Sequence, residues 1–202
     1  AYYRDGNRAL LEPYRVTDTP GTELHYQGGN TMLLAEVLDE VRDGHLSGDI
    51  ANRLWEQMGA EHDAFWGLDG DPANGAVERA FAQFYATTRD YARFGQLLLD
   101  SGKWKGQPLL DKDFVTRMIT PQHLLTDEVD TDFYGYQIWL GTTDDGLPFS
   151  MMEGLRGQMV VSVPALDMVV VRTGYTKSKA KKRNLPVASY DVIDMARRMC
   201  EG

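Results

Sequence analysis

Two short apolar runs near the end of the chain limit its fold more than any other feature. Met159–Val163 and Met168–Arg172 each have the composition of a β-strand, and only the turn-forming residues Pro164–Asp167 separate them. This spacing predicts an antiparallel hairpin. Because both runs are apolar at almost every position, both faces of the hairpin should be covered, and helices are the expected cover.

Helical patterns dominate the sequence before the hairpin. The predicted helices run from Asn30 or Thr31 to Gly44, from a Ser47 cap to Gly59, from the capping-box spacing Thr87–Asp90 to Gly102, and from Asp111 to Met118. The first of them carries an apolar face made of Leu33, Leu34, Val37, Leu38 and Val41.

The pattern changes at about residue 133. Tyr134–Leu140 is rich in aromatic residues and predicts another strand, and Ala188–Cys200 predicts a final helix that packs on the sheet. Its inward side consists of Val192, Ile193, Ala196 and Met199. The fold class is therefore α+β, with residues 1–132 as the helical part and 133–202 as the antiparallel strands plus a C-terminal helix, together one composite domain.

Composition excludes several functions. A formal net charge of −9 argues against nucleic-acid and anionic-membrane partners, which bind clustered Lys and Arg side chains. The one basic cluster, Lys177–Arg183, is expected to be a solvated loop. A single cysteine, Cys200, allows no internal disulfide, and no apolar run is long enough for a membrane span or an export signal.

Tyr26 is the first candidate for chemistry. It precedes the first predicted helix, where backbone N–H groups carry a partial positive charge. A phenol held there can exist partly as phenolate and serve as a general base. The alternative is a tyrosine that packs its ring and donates one hydrogen bond. The local sequence does not decide between the two.

Other common sites are absent from the sequence pattern. The four histidines, His25, His45, His62 and His123, have spacings that match no zinc ligand set, so structural or surface roles are predicted and no metal is expected. No glycine pattern suits a phosphate cradle, and no Gly-x-Ser-x-Gly elbow occurs. No cofactor is expected.

Five segments in order resemble the C-terminal part of the β-lactamase-related serine hydrolases. The segments are residues 20–34 (Pro-Gly-Thr-x-x-x-Tyr-x-x-Gly-x-Thr-x-x-Leu), Gly59–Trp66, Ala86–Gly95, Tyr134–Trp139 and Gly154–Gln158. Each segment alone is a weak signal, but their order and spacing together are specific. The resemblance is closest to the class C-like branch of esterases, penicillin-binding-protein-like D,D-peptidases, amidases and 6-aminohexanoate-dimer hydrolases.

The resemblance implies an acyl-enzyme mechanism. Family members use the serine of a Ser-x-x-Lys motif as nucleophile, and the lysine and a motif tyrosine share the proton transfers. Tyr26 matches that tyrosine, and Asn30 is assigned to support the second motif. The third motif, on an edge strand beside the serine, matches Glu153–Gln158, so Gly154 and Leu155 form the oxyanion strand and the Leu155 N–H is the assigned donor.

The sequence also departs from the family. Gly28 stands where a serine or asparagine is usual, and the third motif lacks its lysine or histidine. The nucleophile motif should precede Tyr26 by many tens of residues. The one Ser-x-x-Lys present, Ser178–Lys181, follows the last strand in a basic segment where the lysine would stay charged, so it is not expected to act. The nucleophile is therefore expected outside this chain.

These expectations give two functional hypotheses. In the first, the chain is the C-terminal part of a serine hydrolase that cleaves a small-molecule amide or ester. The chain alone is expected to be inactive. The remaining strands and the Ser-x-x-Lys helix would come from an N-terminal part of the same protein or from a second chain. Trp66, Tyr85, Tyr136 and Trp139 are candidate cleft walls, with core packing as the alternative. In the second, it is a non-catalytic half-domain that binds a peptide or partner. The family favours a periplasmic or secreted location, although the sequence shows no export signal.

Overall fold

The computed structural model divides the chain into two compact units, Ala1–Thr87 and Thr88–Gly202. The structure describes residues 6, 9, 11–42, 45–126, 129–176 and 178–200. The predicted boundary at residue 133 follows a change of sequence pattern, whereas the compact units divide where the third helix begins. The one composite domain spanning both parts stays a prediction.

The described residues of the first unit include two helices, a wide helical turn and a short ribbon. The helices are α1 (Gly28–Arg42) and α2 (Leu46–Ile50), and α2 continues into a π-helical turn, Ala51–Trp55. The ribbon pairs β1 (Phe65–Trp66) with β2 (Phe84–Tyr85) in antiparallel register. After the π-helical turn in sequence, Met58 is fully buried. The next residue, Gly59, has the positive φ that ends this helical segment.

Helix α1 begins two residues before the predicted start and leaves its apolar face uncovered. Met32 and Ala35 are its buried residues. The apolar face named from the sequence, hereafter the α1 face, is 42–73% exposed at its five positions, Leu33, Leu34, Val37, Leu38 and Val41. The predicted end at Gly44 lies outside the described residues.

Ser47 does not cap the second helix, contrary to the prediction. The cap position is His45, whose side chain makes no capping bond. The Ser47 hydroxyl and backbone N–H instead both donate to the buried Glu78 carboxylate. Burial raises the pKa of Glu78, but these hydrogen bonds outweigh it and hold the pKa below its usual value. This tie joins α2 to a segment 31 residues later.

The second unit opens with a helix that packs on a sheet. Its elements up to residue 130 are α3 (Thr88–Leu99), β3 (Lys103–Trp104), β4 (Gln107–Pro108), α4 (Lys112–Met118), β5 (Leu125–Thr126) and β6 (Val129–Asp130). The predicted Asp111 cap of α4 is confirmed, since its carboxylate accepts the Phe114 N–H at 2.7 Å. The predicted close of α3 is confirmed by Gly102, which has φ +85° and donates to the Leu97 carbonyl.

Four antiparallel strands form the main sheet. They are β7 (Trp139–Thr142), β8 (Pro148–Gly154), β9 (Gln158–Val163) and β10 (Met168–Arg172), in the spatial order β10-β9-β8-β7. The predicted β9–β10 hairpin is confirmed, with Met168 opposite Val163. Helix α3 packs on β9 and β10.

Gly95 is the point of closest approach between α3 and the sheet. A Cβ at this position would lie 2.6 Å from a Val169 methyl and 2.9 Å from a Val160 methyl. The Gly95 carbonyl accepts the buried Ser162 hydroxyl at 2.9 Å. A side chain here would push the helix away from the sheet, so the packing itself requires glycine.

The predicted strand Tyr134–Leu140 is wrong over its first five residues. Only its last two residues belong to β7, and Tyr134 makes an isolated bridge back to Trp139. Gln137 has φ +58°, which reverses the chain direction, and a Cβ on Gly135 would lie 2.1 Å from the Met118 carbonyl oxygen. Tertiary packing therefore overrides the strand propensity of the aromatic residues.

A small hairpin and a helix close the second unit. Part of the predicted basic loop is the hairpin β11 (Lys181–Lys182) and β12 (Leu185–Pro186), followed by α5 (Val187–Cys200), while Lys177 lies outside the described residues. The α5 helix packs on β9 and β10, as predicted. Val192 and Ile193 are buried, but Met199, in the last turn of the helix, is exposed, so its predicted inward position is wrong.

Candidate active site

Tyr26 lies two residues before α1 and its side chain is 63% exposed. The ring is therefore not enclosed in a core. Asn30 turns back within the first helical turn: its side-chain Nδ2 donates to the His25 carbonyl at 3.1 Å, and its backbone N–H donates to the Gln27 carbonyl at 3.2 Å. These two bonds fix the backbone on both sides of Tyr26.

The two glycines after Tyr26 are crowded by aromatic rings. A Cβ on Gly28 would lie 3.0–3.4 Å from Phe81, and one on Gly29 would lie 2.4 Å from the ring of Tyr14. A serine or asparagine side chain at position 28 would have to displace Phe81. The departure from the family motif at Gly28 thus has a local packing reason.

His25 forms a cluster with two carboxylates that sequence spacing did not reveal. Its Nε2 lies 3.1 Å from an Asp18 carboxylate oxygen and 3.5 Å from a Glu23 oxygen. One potential metal-ligating atom from each residue lies within 4.8 Å of the others. All three side chains are well exposed to solvent, and exposed ion pairs of this kind contribute little to stability.

The third motif lies at the end of β8 and in the turn that follows. The prediction of an edge strand is wrong, because β8 lies between β7 and β9. The ladder with β7 nevertheless stops at Met151, whereas the ladder with β9 continues to Gly154. Leu155 follows in a single 3₁₀ turn and is 62% exposed.

The candidate wall residues divide into two packed tryptophans and two exposed tyrosines. Trp66 donates its indole N–H to the Arg79 and Ala82 carbonyls, both at 3.1 Å. The ring of Trp139 packs edge-on to Tyr134, with centroids 4.9 Å apart, and lies against the sheet core. Tyr85 and Tyr136 are 58% and 41% exposed.

Other resolved pKa shifts in the described residues belong to structural contacts on the second unit. A hydrogen bond from Arg197 is the main cause that lowers the pKa of Asp145 to about 2, and a Thr143 hydroxyl adds to it. A hydrogen bond from Lys182 lowers the pKa of Asp144. Burial raises the pKa of the Tyr190 phenol. These contacts join the β7–β8 turn to the β11 hairpin and to α5.

The Ser178 to Lys181 pair is a surface segment. The Ser178 hydroxyl oxygen accepts the Ala180 N–H at 3.1 Å, and both Ser178 and Lys181 are exposed. This pair therefore lacks the environment of a nucleophile and its base.

The site residues fall in both units. Tyr26, Asn30, Trp66 and Tyr85 lie in the first unit, and Gly154, Leu155, Tyr136 and Trp139 lie in the second. Within the first unit, Asn30 bonds to the residues on either side of Tyr26 in sequence, and the catalytic roles of both residues stay predictions. The cluster at His25 and the buried Ser47–Glu78 tie were missed, because both depend on contacts that no local pattern records.

Comparisons with known proteins identify relatives of this chain. No family model matches it. Over 182 residues it is 27% identical to the 6-aminohexanoate-dimer hydrolase of Paenarthrobacter ureafaciens, covering 84% of this chain and 44% of that protein. A Bacillus anthracis protein, provisionally assigned as a 6-aminohexanoate-dimer hydrolase, has a TM-score of 0.77 at 25% identity over 96% of this chain and 49% of the other.

More distant structures share the fold. A penicillin-binding protein homologue from Pyrococcus abyssi has a TM-score of 0.64 at 14% identity, over 91% of this chain and 44% of the other. The D-amino acid amidase of Ochrobactrum anthropi has a TM-score of 0.63 at 12% identity, over 92% of this chain and 62% of the other. The chain has a β-lactamase-like fold. The predicted α+β class and the resemblance to the β-lactamase-related serine hydrolases are confirmed.

The relatives of this β-lactamase-like chain are hydrolases. The chain spans less than half the length of the curated relative that it matches, and about half of the Bacillus anthracis structure. This partial coverage fits a C-terminal portion, as the motif order predicts. None of the helices in the described residues combines the length and apolar character that a membrane crossing needs.

Proposed function

We propose that this chain is the C-terminal part of a serine hydrolase that cleaves a small-molecule amide or ester through an acyl-enzyme. Tyr26 is the general base, and the Leu155 N–H is one oxyanion donor. The serine nucleophile and its lysine belong to a Ser-x-x-Lys segment outside this chain, in an N-terminal part or a second polypeptide. Family resemblance favours a periplasmic or secreted location.

The observation that carries the proposal is the exposed phenol at the mouth of α1. The motif tyrosine, Tyr26, is 63% exposed, although an aromatic ring gains free energy by burial. Asn30 holds the backbone beside it. Next to a helix N-terminus, whose partial positive charge favours an anion, an exposed tyrosine with a fixed backbone is suited to act as a phenolate that accepts a proton from a partner hydroxyl.

The proposed reaction has two steps. The serine oxygen attacks the substrate carbonyl carbon while the Tyr26 phenolate accepts the serine proton and becomes the neutral phenol, and the carbonyl oxygen takes the negative charge opposite the Leu155 N–H. The bond from the carbonyl carbon to the leaving group then breaks, and Tyr26 returns the proton to that group. In the second step, water attacks the acyl-enzyme carbonyl carbon while Tyr26 accepts a proton from the water. The bond to the serine oxygen then breaks, Tyr26 returns the proton to the serine, and the acid is released.

The exposure of the α1 face supports the proposal that another part of the protein or a second chain covers it. Five apolar side chains of one helix are 42–73% exposed together, which is unusual for a stable monomer. The chain also covers only 44% of its curated relative. We propose that the part of the fold that carries the nucleophile covers this face, so residues 1–202 fold stably only with that part or as an oligomer. A cooperative, monomeric unfolding transition of residues 1–202 alone would contradict this.

Covalent labelling tests the proposal. The chain is co-expressed with the segment encoded upstream, and the complex is treated with a fluorophosphonate probe and with a chromogenic ester. A stoichiometric label and ester turnover are expected from the complex, and neither from residues 1–202 alone. Labelling of Ser178 in the isolated chain would overturn the assignment of the nucleophile to another segment.

A second candidate function is a binding module, and the same α1 face favours it. If the chain has no catalytic partner, this face binds a peptide or partner subunit directly. The complex of the chain with its binding partner would then give no label and no ester turnover. Val37→Lys would abolish binding of that partner. Labelling of the complex excludes this reading.

A further inference from the structure

Gln158 ties the turn after β8 to the segment that follows β10. Its Nε2 donates to the Leu155 carbonyl at 3.3 Å and to the Gly174 carbonyl at 2.5 Å, while its Oε1 accepts the Gly174 N–H at 3.0 Å. One amide side chain thus satisfies both backbone groups of Gly174 and the carbonyl of Leu155. Gln158 also faces Gly154 in the strand ladder.

Arg172 makes a second tie between the same two segments. Its guanidinium donates to the Gly157 carbonyl at 2.5 Å and to the Thr176 carbonyl at 2.8 Å. A Cβ on Gly174 would lie 2.7 Å from the guanidinium, so glycine is needed for this approach. The planar fork of arginine suits two carbonyls at once, and lysine cannot reproduce it.

The turn between these ties has a backbone that needs support. Arg156 and Gly157 have φ of +64° and +84°, two successive residues in the left-handed region. For a non-glycine residue this conformation costs about 1 kcal/mol or more, and it persists where neighbouring contacts impose it. Gln158 and Arg172 hold the carbonyls of Leu155 and Gly157, at either end of the strained residue.

We propose that Gln158 and Arg172 are positioning residues that direct the Leu155 N–H toward the oxyanion. This inference rests on the proposed function, in which that N–H is a donor. The Leu155 N–H lies between Gly154, fixed in the ladder, and its own carbonyl, fixed by Gln158. An oxyanion donor must lie within about 3 Å of the developing charge, and a misplacement of about 1 Å costs roughly 100-fold in rate.

The test uses the complete hydrolase and compares two variants with a matched control. Arg172→Lys and Gln158→Met should lower kcat by about 10- to 100-fold and leave KM within about twofold, because they act on the transition state. Arg183→Lys is the control. Arg183 also donates to two carbonyls, those of Thr142 and Thr143, at the opposite end of β8, so its loss should cost similar stability and leave kcat unchanged.

A thiono ester supplies a readout that stability alone does not move. Sulfur accepts hydrogen bonds more weakly than oxygen, so the wild-type enzyme should lose rate on the thiono substrate, and the two variants should lose much less. Two results would overturn the positioning role while the proposed function stands. One is a normal kcat in both test variants. The other is an equal fall in kcat in both test variants and in the Arg183→Lys control, with the wild-type rate loss on the thiono ester unchanged in all of them. A wild-type complex with no label and no turnover would overturn both.

Discussion

Replacement of Tyr26 by phenylalanine removes one oxygen atom and, in the proposed mechanism, the general base. Loss of a general base lowers the acylation rate by about 10²- to 10⁴-fold, which corresponds to about 3 to 5 kcal/mol of transition-state free energy. The side chain is 63% exposed, so loss of one hydroxyl should change the free energy of unfolding by about 1 kcal/mol at most. The two effects differ enough to be separated.

The assay is the single-turnover cleavage of a chromogenic ester in a stopped-flow instrument, with the complete hydrolase in excess over substrate. Thermal unfolding of the same samples measures the effect on folding. Tyr14→Phe is the matched control, since Tyr14 is a partly exposed tyrosine of the same unit and has no part in the mechanism. An acylation rate for Tyr26→Phe within threefold of the wild type would remove Tyr26 from the reaction.

Three further predictions concern stability and association. Gly95→Ala should lower the free energy of unfolding by about 1–3 kcal/mol by crowding the sheet, whereas Gly48→Ala, with open space around it, should be neutral or stabilising; equal effects in chemical denaturation would contradict the packing argument. The depressed pKa of Asp145, about 2, gives stability that is present above its unfolded value of about 3.9 and is lost as pH falls toward 2. Arg197→Gln should therefore lower Tm at pH 6, and the difference should shrink below pH 4; a constant difference would refute the linkage. Val37→Lys should reduce self-association of residues 1–202 in light scattering and lower Tm, because the chain alone is expected to fold stably only when the α1 face is covered; unchanged self-association and Tm would contradict the assignment of this face.

The strongest sequence patterns were those with a purely local cause. The β9–β10 hairpin follows from two apolar runs and a four-residue turn, and the end of α3 follows from Gly102, which alone tolerates its positive φ at no steric cost. The cap at Asp111 is equally local. In each of these cases, one short segment contains both the signal and the group that it satisfies.

The errors arose where a distant residue decides the structure. Serine is a favoured capping residue, but the Ser47 hydroxyl donates its hydrogen bond to the Glu78 carboxylate, 31 residues away. The residues from Tyr134 favour a strand, but the close approach of Gly135 to the Met118 carbonyl turns the chain there. No local pattern records either contact, so propensity alone could not have found them.

The candidate site was found by motif order and not by local chemistry. The residues around Tyr26 are compatible with a packed tyrosine, and only the order of five segments indicated a base. Tyr26 is exposed, and its role as a base stays a prediction. The Gln158 and Arg172 ties were invisible, because both join the β8–β9 turn to a segment beyond the next strand.

Peptide mapping of the labelled complex tests the central claim most directly. After reaction with the fluorophosphonate, digestion and mass spectrometry locate the modified residue. We predict a single label on the serine of a Ser-x-x-Lys segment outside residues 1–202, formed at least 100-fold more slowly when Tyr26 is phenylalanine. A label on a residue of this chain, or a label whose rate ignores Tyr26, would contradict it.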